Sequence, residues 1–336
     1  MKKILVVSTT GMGDSLWGTP ALRALKKSFP DVQLHLLVNS RWKTLFQGNP
    51  HVDRIIDYSP KWHKQPWIGL KLLPHRYDYV LIFHANKDIV RLLGWLRHRS
   101  LLAHQESIWI PETDRIRIEG VVHGIQRRLT LIEKIGARAD GGQMEIFFNN
   151  GERHQAEAFM KENSLPAKNF IYINIGASAP HRRWPEERFL ELSREILKRT
   201  PLKIILGGGP AEKNAILGMI KNLQPGRVCH SLDLPLKADS FVIGQARLLI
   251  TCDTGPMHVG FALKVPALSL FGPYDPRGTG PFDLGKNRCF MIHPSPQTEF
   301  AAGKEYLEAD LNRIPVSLVW DKVREALNIW REPVIL

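Results

Sequence analysis

Short apolar runs alternate with amphipathic stretches along this chain, and nearly every run ends in a loop rich in glycine, proline or aspartate. This pattern confines the chain to an α/β fold of βαβ units on parallel sheets. In the first half, residues 4–8, 33–38 and 79–83 read as strands, and residues 21–28 as a helix that Thr19-Pro20 can cap and start. Residues 122–136 predict a long amphipathic helix. The second half repeats the alternation, with strands at 170–175, 202–206, 247–251 and 267–271. Helices are predicted between them at 185–199, 211–223 and 258–263, and a closing helix at 317–327. The polar segment 149–169 holds one helix and a linker. With 336 residues, two domains can each bury a core.

Charge narrows the choice of partners. The net charge is +13, and residues 1–100 carry 16 basic against 6 acidic side chains. Five of the nine tryptophans, Trp17, Trp42, Trp62, Trp67 and Trp95, lie in the same stretch. A basic, aromatic half calls for an acidic partner: a phosphorylated glycolipid, an anionic membrane surface or nucleic acid. The alternative is a solvated basic face. Lys61, Lys64 and Lys71, interleaved with Trp62 and Trp67, form one candidate surface for an acidic acceptor or lipid headgroups. Residues 91–99 form a second. No nucleic-acid motif is recognised, which argues against nucleic acid.

No apolar run reaches the ~18 residues of a spanning helix, so a soluble protein is expected. Lys2 and Lys3 precede an apolar run at residues 4–7 that is too short for a signal peptide and reads instead as the first strand. Cys229, Cys252 and Cys289 are scattered and odd in number. They point to neither a disulfide framework nor a zinc site, and a reducing cytoplasm is the simplest home.

Ligands of doubly wound sheets bind beyond the C-terminal strand ends, where the unusual residues of this chain fall. The first such loop is Thr9-Thr10-Gly11-Met12-Gly13-Asp14. It is no dinucleotide fingerprint, since Leu16 stands where the third glycine is needed, and no P-loop lysine follows. What remains is a carboxylate, Asp14, held by a glycine turn; alone, it reads first as a helix cap. The second loop, residues 176–187, carries Ser178, Arg182 and Arg183 before a helix start, a set suited to a diphosphate or to capping. The third, Gly207-Gly208-Gly209-Pro210-Ala211-Glu212, places Glu212 to accept ribose hydroxyls or to complement the helix dipole. The fourth is Asp253-Thr254-Gly255-Pro256-Met257-His258, where backbone N–H groups at Thr254 and Gly255 suit a phosphate; alone, His258 reads as a core histidine. A fifth runs from Gly272 to Arg277. Together the loops describe an enzyme handling a phosphorylated ligand.

Gly11-Met12-Gly13-Asp14, Thr19-Pro20-Ala21-Leu22-Arg23-Ala24-Leu25-Lys26, Trp184-Pro185-Glu186, Asp253-Thr254-Gly255-Pro256-Met257-His258 and Phe271-Gly272-Pro273 together resemble the heptosyltransferase family, glycosyltransferase family nine. His123-Gly124-Ile125-Gln126-Arg127-Arg128-Leu129 resembles its mid-chain helix, and the likeness runs to about residue 282. The resemblance implies an α/β GT-B fold, two Rossmann-like doubly wound domains facing across a cleft. Residues 1–155 would bind the acceptor and 166–315 the nucleotide sugar, with 316–336 as a closing helix and tail. It implies metal-independent, inverting transfer of heptose from ADP-heptose to the lipopolysaccharide inner core. It implies no cofactor beyond the nucleotide sugar, and a cytoplasmic site at the inner face of the inner membrane.

By position, Asp14 matches the family's general base, and with the pattern present that role overtakes capping. Ser178 and Arg182 match diphosphate contacts, although the family's best-known members carry lysine at the second. Glu212 matches the ribose acid, and Asp253, Thr254 and Gly255, with His258 beside them, the sugar-phosphate loop. Leu234 falls near the adenine pocket. Gly11, Gly13, Lys61, Lys64 and Arg128 fall on the acceptor side. Other nucleotide sugars, a nucleotide-sugar epimerase on the same fold and a non-catalytic binding protein remain open alternatives. Residues 283–336 match no motif.

Overall fold

The computed structural model describes residues 2–120, 122–177, 179–272, 275–282, 289–294 and 310–329. The chain divides into two compact units, Met1–Phe147 and Phe148–Leu336.

The first unit runs β1 (Lys3–Ser8), α1 (Met12–Leu16), α2 (Thr19–Ser28), β2 (Gln33–Asn39), β3 (Arg54–Tyr58), α3 (Gln65–Leu72) and β4 (Arg76–His84). It continues with α4 (Val90–Leu93), β5 (Arg97–His104), β6 (Arg115–Ile116) and α5 (Gly124–Glu133). Its parallel sheet has the order β3-β2-β1-β4-β5-β6. The central strands are buried on both faces, which is why β1 reads as an unbroken apolar run and β2 as one interrupted by the buried His35.

The second unit runs α6 (Asn150–Glu162), β7 (Phe170–Asn174), α7 (Glu186–Arg199), β8 (Lys203–Gly207), α8 (Lys213–Lys221), β9 (Val228–His230) and α9 (Leu236–Gln245). It continues with β10 (Leu248–Cys252), α10 (Gly255–Ala262), β11 (Ala267–Leu270), α11 (Pro276–Thr279), β12 (Cys289–Ile292) and α12 (Val316–Ile329). Its sheet order is β12-β11-β10-β7-β8-β9, again all parallel. Read from its other edge, this is the strand order of the first sheet. Both sheets are therefore Rossmann-like, and each reverses direction once, between β1 and β4 and between β7 and β10. Loops on either side of such a switch point splay apart and leave a crevice for ligand.

Local chemistry fixes the helices. α6 starts with a capping box: Asn149 Oδ1 accepts the Glu152 N–H (2.9 Å) and Glu152 Oε2 accepts the Asn149 N–H (2.8 Å). The same Glu152 oxygen pairs with the buried Lys237 of α9 at 3.0 Å. In α7, Phe189, Leu192, Ser193, Ile196 and Leu197 are buried at helical spacing, with acids in the first turn and Lys198 and Arg199 in the last. α12 lays Val319, Val323 and Ala326 into the same core, and Trp184 enters it fully buried, its indole N–H donating to the Ile314 carbonyl (3.0 Å).

Two expectations change. The helix expected over 122–136 is shorter, Gly124–Glu133, and the one after β8 begins at Lys213, behind a single 3-10 turn over Pro210–Glu212. The second basic stretch, at 91–99, is split: Leu92 and Leu96 are buried in the first unit's core, while Arg91, Trp95, Arg97 and Arg99 are exposed and Arg97 opens β5. Four-residue spacing turns both leucines inward while the flanking Arg91 and Arg97 face out. No helix among the described residues is long and apolar enough to cross a membrane.

Candidate active site

In the first unit, Asp14 sits in α1, directly after β1 and beside the switch point. Gly11 caps that helix, and Asp14 Oδ2 accepts the Gly11 N–H (3.2 Å) and the Thr10 hydroxyl (3.1 Å). An added Cβ at Gly11 would stand 3.0 Å from that oxygen, so a side chain there would make the carboxylate shift. Both sequence readings of Asp14 therefore hold locally: it closes the helix start, and it presents a half-buried carboxylate at a strand end. Gly13 is buried beneath it.

One buried cation acts on this carboxylate. Arg128, expected on the acceptor side, lies instead inside the unit at 2% exposure. Its guanidinium donates to the backbone carbonyls of Gly124 (2.7 Å) and Asp14 (3.1 Å) and packs on Trp17 (5.2 Å to the ring centroid). Burial lowers the Arg128 pKa to about 10, with Asp14 opposing and Arg127 adding, so it stays a cation at neutral pH. Arg127 pairs with Glu106. His84 ends β4 and meets Thr10, its Nδ1 2.6 Å from the hydroxyl. Its outer edge is open, yet the protein around the ring lowers its pKa; Asp14 opposes this, and Arg128 and Arg127 add to it. His104 is buried next to these groups, its pKa lowered to about 3 by burial first and then by Arg128 and Arg127.

Lys61 and Lys64 stand elsewhere in the unit, beyond edge strand β3, on the turn that leads into α3. Both are exposed, and Trp62 and Trp67 beside them are 74% and 70% exposed.

In the second unit, the loops after β7 and β10 are tied across the switch point. Arg182 donates to the Asp253 carbonyl (2.7 Å) and carboxylate (2.8 Å). Next door, Arg183 pairs with Glu212 at 2.5 Å, and Glu212 Oε2 accepts the Gly209 N–H at 2.8 Å, so the loop after β8 joins the same network. Both carboxylates are enclosed, with side chains 5% and 6% exposed. Arg183 Nε is buried and has no hydrogen-bond partner among the described residues. Thr254 caps α10 in extended backbone, and Gly255 and Pro256 begin it, which points its first N–H groups at the loop crevice. Asn174 Nδ2 holds the Gly176 carbonyl (2.9 Å) and reaches Thr254 Oγ1 (3.5 Å).

His258 is 4% exposed and meets Phe261 edge-on, among the core groups of α10. Leu234 is half-buried in the turn after edge strand β9. Ser178 lies outside the described residues, as do Pro273 and Tyr274 of the fifth loop.

The family model for glycosyltransferase family 9 (heptosyltransferase) matches residues 81–309, more than half of the chain. The chain belongs to glycosyltransferase family 9. Lipopolysaccharide heptosyltransferase 1 of Pseudomonas aeruginosa is 24% identical over 290 residues, which cover 83% of this chain and 81% of that protein. A family 9 glycosyl transferase of Veillonella parvula, known by crystal structure, superposes with a TM-score of 0.83 at 21% identity, over 98% of both chains. The Escherichia coli heptosyltransferase WaaC, solved with ADP, superposes with a TM-score of 0.74 at 19% identity, over 96% of this chain and 99% of that one. The two six-stranded units thus have the GT-B fold of family 9, and the protein is a glycosyltransferase.

Sequence reasoning did not single out Thr10, His84 or His104 in this family 9 site. The signal was positional: His84 directly follows the run read as the strand that neighbours β1.

Proposed function

We infer that this glycosyltransferase moves heptose from ADP-heptose to the lipopolysaccharide inner core, by inverting displacement with Asp14 as general base. The observation that carries the reading is a half-buried carboxylate in the field of the buried Arg128 at the first switch point. At the second, arginines and a helix N-terminus line the loops. Asp14 would take the proton of the acceptor hydroxyl as its oxygen attacks the anomeric carbon. The leaving diphosphate would be stabilised by Arg182, Ser178 and the Thr254–Gly255 amides, with no metal required. Arg182, freed from Asp253, would turn to the phosphates, and Asp253, like Glu212, to hydroxyls. Leu234 would line the nucleoside side, and His258 would support the Asp253–Gly255 loop from the core. The relatives' names, and the ADP held by the Escherichia coli heptosyltransferase, support this donor.

Thermal unfolding with ADP-, UDP-, GDP- and dTDP-sugars, and with ADP alone, tests the reading. A ligand at 100 times its Kd stabilises by about 2.7 kcal/mol, or about 5–10 °C for a unit of this size. Selective stabilisation by ADP and ADP-heptose is the expected outcome. A response to another nucleotide would discard heptose, and no response to any would favour a binding module.

The acceptor is acidic in this reading and is held near Gly11 and Gly13, where the buried charge of Arg128 adds a positive field. Lys61 and Lys64, with exposed Trp62 and Trp67, would meet its charged groups or anionic headgroups at the cytoplasmic face of the inner membrane. Each lysine near such a surface contributes about 1 kcal/mol. The K61E/K64E double variant should therefore lower binding to anionic vesicles at least 10-fold while retaining the fold. Unchanged vesicle binding together with an unchanged acceptor KM would remove this surface from the reading.

A further inference from the structure

The pairing of β1 with β4 slips by one residue at its end: Val7 lies opposite Ile82, but Ser8 lies opposite His84. Phe83 is the extra residue, and its buried ring packs under Gly18, where an added Cβ would come within 3.0 Å. A bulge bends the strand and gives the next side chain a direction its register would otherwise deny. Here the redirected side chain is His84, at the switch point. Thr9 N–H donates to the His84 carbonyl (2.9 Å) and fixes the backbone there. The His84 ring then stands 2.6 Å from Thr10 Oγ1, and Thr10 Oγ1 stands 3.1 Å from Asp14 Oδ2.

We propose that His84, acting through the Thr10 hydroxyl, is a positioning residue for Asp14: Nδ1–H donates to Thr10 Oγ1, and Thr10 O–H donates to Asp14 Oδ2. This rests on Asp14 being the base. A hydroxyl has one proton. When that proton points at a carboxylate, the oxygen is an acceptor on its other side, and only an imidazole protonated at Nδ1 satisfies a 2.6 Å contact there. So oriented, the chain fixes the Asp14 rotamer and favours its ionised form, as donors to a carboxylate do. The charged groups facing His84 are Asp14, Arg128, Arg127 and Glu106, with His104 coupled to it from β5. The protein around the ring lowers the His84 pKa, which favours the neutral imidazole, so the proposal concerns its tautomer rather than a charge.

Kinetics of the full chain, with ADP-heptose and an inner-core acceptor, test this. Thr10→Val and His84→Leu should each lower kcat about 10-fold, the effect of one hydrogen bond to a charged group, with donor KM within about twofold. The double variant should be no worse than either single one. Loss of the donors favours the protonated acid, so the acid limb of kcat should move to higher pH in both variants. Thr10→Ser, which keeps the hydroxyl, and His84→Asn, whose amide N–H stands where Nδ1–H stood, should restore most of the rate.

A substrate-free readout is the imidazole 15N NMR spectrum. His84 should be Nδ1–H in the native protein and revert to the ordinary Nε2–H form in Thr10→Val. An Nε2–H tautomer in the native protein would overturn the proposal. So would native kcat and pH profile in Thr10→Val and His84→Leu while Asp14→Asn is inactive. Normal turnover by Asp14→Asn would remove the base reading and this one together.

Discussion

Asp14→Asn is expected to lower kcat about 10³-fold, within the ~10²–10⁴ that a positioned general base contributes. Stabilisation of the fold by the nucleotide sugar should be unchanged. Asparagine keeps the shape and one oxygen, so the bonds that Asp14 Oδ2 accepts from Gly11 N–H and Thr10 can persist, and the start of α1 need not move. What is lost is the basic lone pair. The measurement is steady-state transfer alongside thermal unfolding with donor. Turnover within tenfold of native would assign Asp14 to the cap alone and leave the base unidentified.

Glu212→Ala should act on the fold before it acts on the ligand. The Glu212 carboxylate is enclosed and accepts from Arg183 and from the Gly209 N–H, while Gly176 comes so close that a Cβ there would lie 3.0 Å away. Removing it leaves a partly buried guanidinium without its counter-charge, and among the described residues Arg183 Nε has no partner to compensate. Breaking a buried pair costs about 3–5 kcal/mol. Because Arg183 keeps some solvent, about 2–3 kcal/mol is expected here, a fall in Tm of roughly 5–10 °C. Donor affinity should weaken with it, since the loops after β7 and β8 lose their tie. Calorimetry of the unliganded protein decides: a Tm within about 1 °C of native, with a weakened donor, would make Glu212 a ligand contact only.

The architecture was legible because the central strands are buried on both faces and cannot be polar. β1, β2, β7, β8, β10 and β11 announce themselves as apolar runs. The edge strands do not. β9 is three residues long and half-buried, and β5 opens with the exposed Arg97-His98-Arg99, which reads as surface. The positions of the loops followed from the strands, so Asp14, Arg182, Glu212 and Asp253 could be named from sequence.

Their partners could not. Arg182 bonds a residue 71 positions away and Arg183 one 29 away, and no local pattern records either distance. The Thr10–His84 contact depends on a bulge, and a one-residue slip leaves no trace in the alternation of Tyr79 to Phe83. Arg128 misled for a related reason. An arginine at 2% exposure is rare, and only its backbone acceptors in Gly124 and Asp14 make that burial tolerable.

The repeated strand order has a consequence for how such a chain can change over generations. Every strand pairing closes within its own unit, and the joint at Phe147–Phe148 interrupts none of them. A genetic crossover at that joint would therefore inherit a sheet whole, together with its loops, its bulge or its arginine ties. Inheritance in such blocks lets selection exchange one half of a substrate pair without re-evolving the other, and it makes the same joint the natural splice for chimaeras built in the laboratory.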